Sequence, residues 1–241
     1  MKNVIVTGAS RGLGLKVTQY FLQNGDTVYA INRTLNRDLE KLKEEYRDRL
    51  LVISYDLADV EQIHKTIFKE TIGLDTPIHA LVNNAAIAYD DLVTNIDLQK
   101  LETMFKVNVF APLICSKSAI RQMLLHRVKG SIVHVSSVSV HTGYKGLAMY
   151  ASTKGALEAF SKNTAREWGE RGIRSNCVVA GFMETSMNAS LNEEQKDRIY
   201  KRTSLKQATS LDSVARTILF LISDFADSIT GQSIHVDNGT I

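Results

Sequence analysis

The chain has 241 residues, of which 44% are hydrophobic and 23% are charged, and it carries 14 glycines but only two prolines. This composition is typical of a globular protein with a substantial core and excludes collagen-like and disordered chains. With 29 basic and 26 acidic side chains, the formal net charge is only +3. A balance this mild requires neither a nucleic acid nor an anionic membrane as partner.

The cysteines and the N-terminus indicate the compartment. Cys115 and Cys177 form no C-x-x-C pair and are too few for a disulfide framework, as expected of free thiols in a reducing compartment. No signal peptide is recognisable, and no stretch approaches the roughly 20 apolar residues of a membrane helix. We therefore expect a soluble, cytoplasmic protein. The six histidines have no zinc-binding spacing, so we predict no metal site.

Strand and helix patterns alternate along the chain. Seven short apolar runs are predicted as strands, at 3–7, 27–32, 50–55, 78–83, 131–136, 174–179 and 233–237. Several are almost continuously apolar, which is typical of parallel strands covered on both faces. Helices are predicted at 13–24, 37–49, 60–71, 98–129 (with a bend near Pro112), 149–169 and 210–223. The alternation predicts an α/β fold with one domain over 1–241, a doubly wound parallel sheet with helices on both faces.

A glycine-rich motif follows the first predicted strand and opens the first predicted helix. It reads Thr7-Gly8-Ala9-Ser10-Arg11-Gly12-Leu13-Gly14. In a dinucleotide loop the first glycine allows a tight turn, the second lets the backbone approach a pyrophosphate, and the third permits close packing of helix on strand. The helix N-terminus offers free N–H groups to the phosphates. The motif predicts a dinucleotide site; a glycine-rich turn without a ligand is the alternative.

The end of the second predicted strand distinguishes NAD from NADP. Folds that bind NAD usually place an acidic residue there on the ribose hydroxyls, whereas this chain reads Asn32-Arg33-Thr34. An arginine pairs with the 2′-phosphate of NADP, which a carboxylate would repel. Arg11, within the glycine motif, is expected to reach the same phosphate from the other side. We therefore predict NADP(H) as the cofactor; two exposed surface arginines are the alternative.

Three side chains form a candidate catalytic group. Tyr150 and Lys154 are four residues apart in a predicted helix and share one of its faces. Because a nearby ammonium favours the phenolate, Lys154 is expected to lower the pKa of Tyr150 from about 10 toward neutrality. Ser137 follows a predicted strand, and ligands of open α/β sheets bind outside the carboxyl ends of the strands. The three residues predict acid–base chemistry in the same crevice as the glycine motif.

Together these motifs resemble the short-chain dehydrogenase/reductase family over nearly the whole chain. The resemblance implies a single-domain Rossmann fold and an NADP-dependent oxidoreductase that acts on C=O and CH–OH groups. It is carried, in chain order, by TGASRGLG at 7–14, Asp56-Leu57, Asn83-Asn84-Ala85-Ala86, Asn108, Ser137, Tyr150-x-x-x-Lys154, Gly181-Phe182-Met183-Glu184-Thr185, Ile229-Thr230-Gly231 and Val236-Asp237.

The resemblance also implies the roles of the matched residues. Tyr150 would protonate the substrate carbonyl oxygen, Ser137 would hydrogen-bond the same oxygen, and Lys154 would bind the nicotinamide ribose and relay protons with Asn108 and water. Cofactor contacts are implied for Gly8, Ser10, Arg11, Gly12, Leu13, Gly14, Asn32, Arg33, Thr34, Asp56, Leu57, Asn84, Ala85, Ala86, Tyr150, Lys154, Met183 and Thr185.

Some features depart from the family or leave alternatives open. Ala180 stands where a proline is usual, which is expected to loosen the turn beneath the nicotinamide, and Asn238 replaces a common glycine. The polar segment 186–207, with a predicted helix at 192–201, corresponds to the family's mobile substrate lid. An exposed helix without a closing role is the alternative. His141 either lines the substrate pocket or is an exposed loop residue.

Within the family, the chain is most similar to the 3-oxoacyl-[acyl-carrier-protein] reductases of fatty acid biosynthesis. These enzymes present basic side chains to an acidic carrier protein, and Arg127, Lys129 and Arg171 lie in comparable stretches. The alternatives are a reductase or dehydrogenase of a sugar or specialised metabolite, and an NADP-binding regulator without catalysis. The resemblance further implies a homotetramer whose interface uses the predicted helices 98–129 and 149–169 and the last strand.

Overall fold

The computed structural model describes residues 1–186 and 191–240. Seven parallel strands form one sheet in the order β3-β2-β1-β4-β5-β6-β7, which confirms the predicted seven-stranded, doubly wound fold. Each observed strand differs from its prediction by no more than two residues at either end. The strands are β1 (Asn3–Thr7), β2 (Thr27–Asn32), β3 (Leu50–Ser54), β4 (Ala80–Asn83), β5 (Ser131–Ser137), β6 (Arg174–Ala180) and β7 (Ser233–Val236).

Helices connect the strands. Segments wound as π-helix cover His64–Ile72 and Lys106–Phe110. Among the residues described, no helix combines the length and the apolar character needed to cross a membrane. The α-helices are α1 (Gly12–Gln23), α2 (Arg37–Tyr46), α3 (Leu98–Phe105), α4 (Ala111–Leu125), α5 (Ser139–Thr142), α6 (Ala148–Trp168), α7 (Glu193–Tyr200) and α8 (Leu211–Ile222).

The sheet lies between two hydrophobic cores, one on each face. In β1, Val4 and Val6 pack into a core that contains residues of α1 and α8. Ile5, between them, packs into the opposite core with residues of α4 and the first π-helical segment. Successive side chains of a strand point to opposite faces, and all three are fully buried. Helices on both faces therefore account for the continuous apolar runs of the sequence.

The helical stretch predicted at 98–129 is divided in the structure. The second π-helical segment lies between α3 and α4, the backbone on both sides of it is helical, and Pro112 is the second residue of α4. The change in helical winding therefore lies directly before the proline. α4 ends at Leu125, before Arg127 adopts a left-handed φ of 53°, a conformation that ends helices. The predicted end at residue 129 is thus too late.

Gly14 allows α1 to begin against the end of β1. A Cβ atom at this position would lie 2.1 Å from the carbonyl oxygen of Gly8 and 2.6 Å from the side-chain nitrogen of Asn84. No side chain fits at such distances, so the turn closes only with glycine. In α6, by contrast, a Cβ atom on Gly155 would meet its nearest neighbour, a methyl group of Val140, at 3.6 Å.

We predict opposite effects of alanine at these two glycines. Gly14→Ala should lower the free energy of unfolding by about 1–3 kcal/mol, because the added methyl group overlaps backbone. Gly155→Ala should leave it unchanged or raise it by about 0.5–1 kcal/mol, because alanine favours the helix. Urea unfolding of both variants measures the effects. Equal stability of the two variants would contradict the packing described for Gly14.

Candidate functional site

The loops that follow β1 and β4 are hydrogen-bonded into one unit at the carboxyl edge of the sheet. The hydroxyl oxygen of Thr7 accepts the backbone N–H groups of Asn84 and Ala85, each at 3.0 Å. The side-chain amide of Asn84 donates in return to the carbonyl oxygens of Thr7, at 2.9 Å, and Gly8, at 3.2 Å. The strand order reverses between β1 and β4. In open α/β sheets this is where ligands bind.

The glycine loop fits a dinucleotide. Gly8 has a left-handed φ of 67°, and a Cβ atom there would lie 2.9 Å from Ala85 Cα, so this turn requires glycine to pack against the loop after β4. The N-terminus of α1 has no side-chain cap, and no acidic residue lies in its first turn. Its N–H groups and the positive end of its dipole therefore suit a phosphate. Arg11, the N-cap residue, is exposed at the rim.

Asn36 joins the glycine loop to the segment after β2, and sequence reasoning missed it. Its side-chain oxygen caps α2 by accepting the N–H of Leu39 at 3.1 Å. Its side-chain nitrogen donates to the carbonyl oxygen of Ser10 at 2.6 Å. The exposed Arg33 and the exposed Arg11 thus project from two segments that Asn36 ties together. An asparagine directly before a charged helical segment is the cap signal that could have identified it.

The residues flanking Arg33 differ in exposure. Asn32 is buried, its side-chain nitrogen donates to the carbonyl oxygen of Thr34 at 3.2 Å, and its buried side-chain oxygen has no partner among the described residues. Thr34 itself is exposed. The segment therefore presents Arg33 and Thr34 to solvent, with Asn32 fixing the backbone beneath them.

Lys154 is buried beneath the crevice. Its side chain belongs to α6, is only 2% exposed, and donates from Nζ to the carbonyl oxygen of Val135 in β5 at 2.8 Å. Burial lowers the pKa of the amine to about 8. The nitrogen lies 5.6 Å from the centre of the Tyr150 ring. The predicted shared helix face is therefore confirmed.

The predicted effect of Lys154 on Tyr150 is wrong for this structure. The pKa of Tyr150 is raised to about 12, first by burial of the phenol and second by the negative charge of Asp90. The lysine nitrogen donates to a carbonyl oxygen rather than to the phenol oxygen. Tyr150 is therefore protonated at physiological pH, as an ordinary tyrosine is, and the raised pKa makes its phenol a weaker acid.

Asn108 and Ser137 both precede this pair in the chain. Asn108 is fully buried in the π-helical segment and makes reciprocal hydrogen bonds with the backbone of Ile87, at 2.9 and 2.8 Å. It also donates to the hydroxyl of Thr153, next to Lys154, at 3.1 Å. Asn108 therefore links the loop after β4 to α6. Ser137 is the half-buried last residue of β5, at the same edge of the sheet.

The remaining predicted cofactor residues surround the crevice. Leu13 and Leu57 are buried in the two cores, and Met183 packs against the core that contains Leu13. Asp56 is exposed and accepts the N–H of Ala58 at 2.9 Å. The methyl group of Thr185 would lie 3.5 Å from a Cβ atom at Gly12, so it faces the glycine loop. Ala86 is half-buried in the loop after β4.

Both departures from the family pattern are accommodated. Ala180 remains within β6, and its carbonyl oxygen accepts the N–H of Val138 at 3.0 Å; the expected loosening of the turn stays a prediction. Asn238 adopts a left-handed φ of 59°, which asparagine tolerates better than most residues. Its side chain donates to the carbonyl oxygen of Gln207 at 3.0 Å. This contact joins the C-terminus to the end of the predicted lid segment.

The predicted lid contains α7, while its residues 187–190 lie outside the described part of the chain. α7 begins with a capping box between Asn192 and Gln195. Each end of α7 lies within two residues of the predicted helix limits. Tyr200 donates to Glu184 at 2.7 Å, which holds the helix against the segment after β6. His141 is exposed and contacts Glu158 at 3.1 Å, in agreement with the alternative of an exposed residue.

Comparison with known proteins identifies the family. A family model described as enoyl-(acyl carrier protein) reductase matches residues 8–240. A 3-oxoacyl-[acyl-carrier-protein] reductase of Aquifex aeolicus is 34% identical over 238 residues, or 98% of this chain and 95% of the relative. The chain belongs to the short-chain dehydrogenase/reductase family. The predicted class, an NAD(P)-dependent oxidoreductase of this family, is therefore confirmed.

Solved structures of short-chain dehydrogenases agree with the fold. A proposed NAD(P)-dependent gluconate 5-dehydrogenase of Beutenbergia cavernae with bound NADP has a TM-score of 0.91 and 27% identity, covering 98% of this chain and 95% of its own. A 4-hydroxyisoleucine dehydrogenase complexed with NADH has a TM-score of 0.92 and 27% identity, covering 99% and 98%. The family resemblance drawn from the motifs is thus confirmed over almost the whole chain.

The buried lysine predicts a dependence of stability on pH. Because the folded chain releases the proton of Lys154 at about pH 8 and an unfolded lysine near 10.5, the folded state gains stability as the pH rises between these values. From pH 7.5 to 9.5 the wild type should gain about 2 kcal/mol relative to Lys154→Met.

Urea unfolding of both proteins at the two pH values measures this gain. The matched control is Lys162→Met, which removes an exposed lysine from the same helix and should retain the wild-type dependence on pH. Parallel pH dependences of the wild type and Lys154→Met would contradict a buried, perturbed amine.

Proposed function

We propose that the protein is an NADPH-dependent carbonyl reductase that acts on 3-oxoacyl thioesters. The observation that carries the proposal is the buried Lys154 amine next to the ring of Tyr150, at the sheet edge that also holds the glycine loop. A proton donor and a phosphate-binding loop at one crevice suit reduction of a carbonyl group by a nicotinamide. The relative from Aquifex aeolicus, a 3-oxoacyl-[acyl-carrier-protein] reductase, supports the thioester.

The cofactor is NADP(H), held at the carboxyl edge of the sheet. The loop from Gly8 to Gly14 and the N-terminus of α1 bind the pyrophosphate. Asp56 and Leu57 contact the adenine, and the loop at 84–86 lines the cleft. Met183 and Thr185 hold the carboxamide, while Lys154 and Tyr150 contact the nicotinamide ribose. The 2′-phosphate pairs with Arg33 and Arg11, next to Asn32, Thr34 and Ser10.

The chain's own residues complete the reduction. When bound, NADPH supplies the hydride that reduces the carbonyl carbon. Tyr150 gives its phenolic proton to the carbonyl oxygen, which becomes the hydroxyl of the product. Ser137 hydrogen-bonds that oxygen and orients the ketone. Lys154 and Asn108, with water, return a proton to the Tyr150 oxygen.

Partners and assembly are part of the proposal. An acyl carrier protein would dock on the exposed Arg127, Lys129 and Arg171. Homotetramer formation is supported by apolar side chains exposed on the segment predicted as interface, Leu98 at 64% and Phe110 at 47%. The single domain over 1–241, the lid role of 186–207 and the cytoplasmic location stay predictions.

A second candidate function is oxidoreduction of a sugar acid or another small hydroxyl compound. It is favoured by the structural similarity to the proposed gluconate 5-dehydrogenase and to the 4-hydroxyisoleucine dehydrogenase. Turnover of gluconate or ketogluconate, with none of acetoacetyl-coenzyme A, would select it. Tight binding of NADPH without turnover of any carbonyl compound would instead favour a regulator.

We predict that Tyr150→Phe abolishes reduction of acetoacetyl-coenzyme A. Loss of the proton donor should lower kcat by at least about 100-fold, while the Kd of NADPH changes less than threefold, since the phosphate loop is untouched. NADPH absorbance and fluorescence titration measure the two quantities. Tyr20→Phe, which removes a hydroxyl near Asp212 in a contact between α1 and α8, is the matched control. Wild-type kcat in Tyr150→Phe would contradict the proposal.

We also predict that Arg33→Ala changes cofactor choice. Removal of a charge-assisted hydrogen bond to the 2′-phosphate should raise the KM of NADPH by about 10- to 100-fold and leave the KM of NADH within about twofold. Arg37→Ala, which removes the exposed arginine at the start of α2, should change neither constant. Equal changes for the two cofactors in Arg33→Ala would exclude Arg33 as the phosphate ligand.

A further inference from the structure

Two hydroxyl groups, those of Ser137 and Ser139, lie together at the carboxyl end of β5. The side-chain oxygen of Ser137 accepts the backbone N–H of Ser139 at 3.2 Å. It also accepts the hydroxyl of Ser139 at 3.0 Å. One residue therefore makes two separate hydrogen bonds to the same oxygen, one from its main chain and one from its side chain.

The hydrogen-bonding capacity of a hydroxyl group determines what Ser137 can still offer to a substrate. A serine hydroxyl has two acceptor lone pairs and one donor proton. With both lone pairs of Ser137 engaged by Ser139, the remaining capacity is the proton of Ser137 itself. A ketone oxygen can only accept a hydrogen bond. A Ser137 hydroxyl in this state can only donate one, so the two groups match.

We propose that Ser139 is a positioning residue that fixes the Ser137 hydroxyl as a hydrogen-bond donor to the substrate carbonyl. Ser139 acts through Ser137 and needs no contact with the substrate. The inference rests on the proposed function, because it assumes that Ser137 binds the carbonyl oxygen.

The backbone around the pair is held in place from several directions. Ser139 is only 4% exposed and begins α5. The N–H of Val138, between the two serines, donates to the carbonyl oxygen of Ala180 in β6 at 3.0 Å. The carbonyl oxygen of Val138 accepts the N–H and the hydroxyl of Thr142, at 3.0 and 2.9 Å. The separation of the two side chains is therefore set by β6 and α5 together.

Removal of the Ser139 hydroxyl has a defined consequence. In Ser139→Ala the backbone N–H still donates to Ser137, but one lone pair of the Ser137 oxygen is released. The Ser137 proton then has additional rotamers, in which the hydroxyl accepts from water instead of donating to the substrate. A neutral hydrogen bond of this kind corresponds to about a threefold to tenfold change in rate.

The test is a double-mutant cycle on reduction of acetoacetyl-coenzyme A by NADPH. It uses the wild type, Ser139→Ala, Ser137→Ala and the double variant, with circular dichroism to verify folding. We expect kcat to fall about threefold to tenfold in Ser139→Ala, while the Kd of NADPH is unchanged. In the Ser137→Ala background, the second substitution should lower kcat less than twofold, because Ser139 has lost the group through which it acts.

Two further variants separate positioning from a merely structural role. Ser139→Thr restores the hydroxyl and should recover most of the lost kcat. Thr142→Val removes a side-chain hydrogen bond from the same short helix without touching Ser137, and it should retain kcat within twofold.

The outcomes that overturn the inference are distinct from failure of the proposed function. Only the positioning role would be excluded if Ser139→Ala kept the wild-type kcat. The same conclusion would follow if Ser139→Ala lowered kcat by the same factor in the wild-type and Ser137→Ala backgrounds. Wild-type kcat in Ser137→Ala would overturn the proposed role of Ser137, and the inference with it.

Discussion

The structure depends on the burial of one ammonium group at the carboxyl edge of the sheet. Lys154 is nearly inaccessible to solvent and donates to the carbonyl oxygen of Val135 at 2.8 Å. A charge removed from water is costly unless it is hydrogen-bonded, and the lowered pKa of the amine reflects this cost. The same hydrogen bond joins α6 to β5 and fixes Tyr150, one turn earlier on the helix, at the crevice. The placement of Tyr150 and a local loss of stability therefore have one origin.

A second constraint fixes the floor of the crevice. Thr7 and Asn84 exchange side-chain and backbone hydrogen bonds at the ends of β1 and β4, where the strand order reverses. The close approach of Gly14 to Gly8 then aims the N-terminus of α1 into the same opening. The glycine loop thus follows β1, while the helix that carries Tyr150 is tied to β5, and β4 lies between these two strands. Rigid attachment of this kind lets a fold align two reactants without ordering them anew at each turnover.

The sequence predicts the sheet well because the five inner strands, β1, β2, β4, β5 and β6, are buried on both faces and are therefore largely apolar. It also predicts that Tyr150 and Lys154 share a face, since that depends only on helical spacing. The pKa of Tyr150 could not be predicted in this way, because it depends on burial and on Asp90, sixty positions earlier in the chain. Ser139 was missed because its contact with Ser137 requires the short helix α5, which is too short to leave a periodic pattern.

The most direct measurement of the central claim is transfer of deuterium from NADPH labelled at C4 of the nicotinamide to acetoacetyl-coenzyme A. If the crevice aligns cofactor and ketone as described, the 3-hydroxyacyl product of the wild type will carry deuterium on its carbinol carbon, as mass spectrometry can detect. Tight binding of NADPH with no deuterium in any product, from this thioester or from keto sugars, would contradict the assignment of a carbonyl reductase.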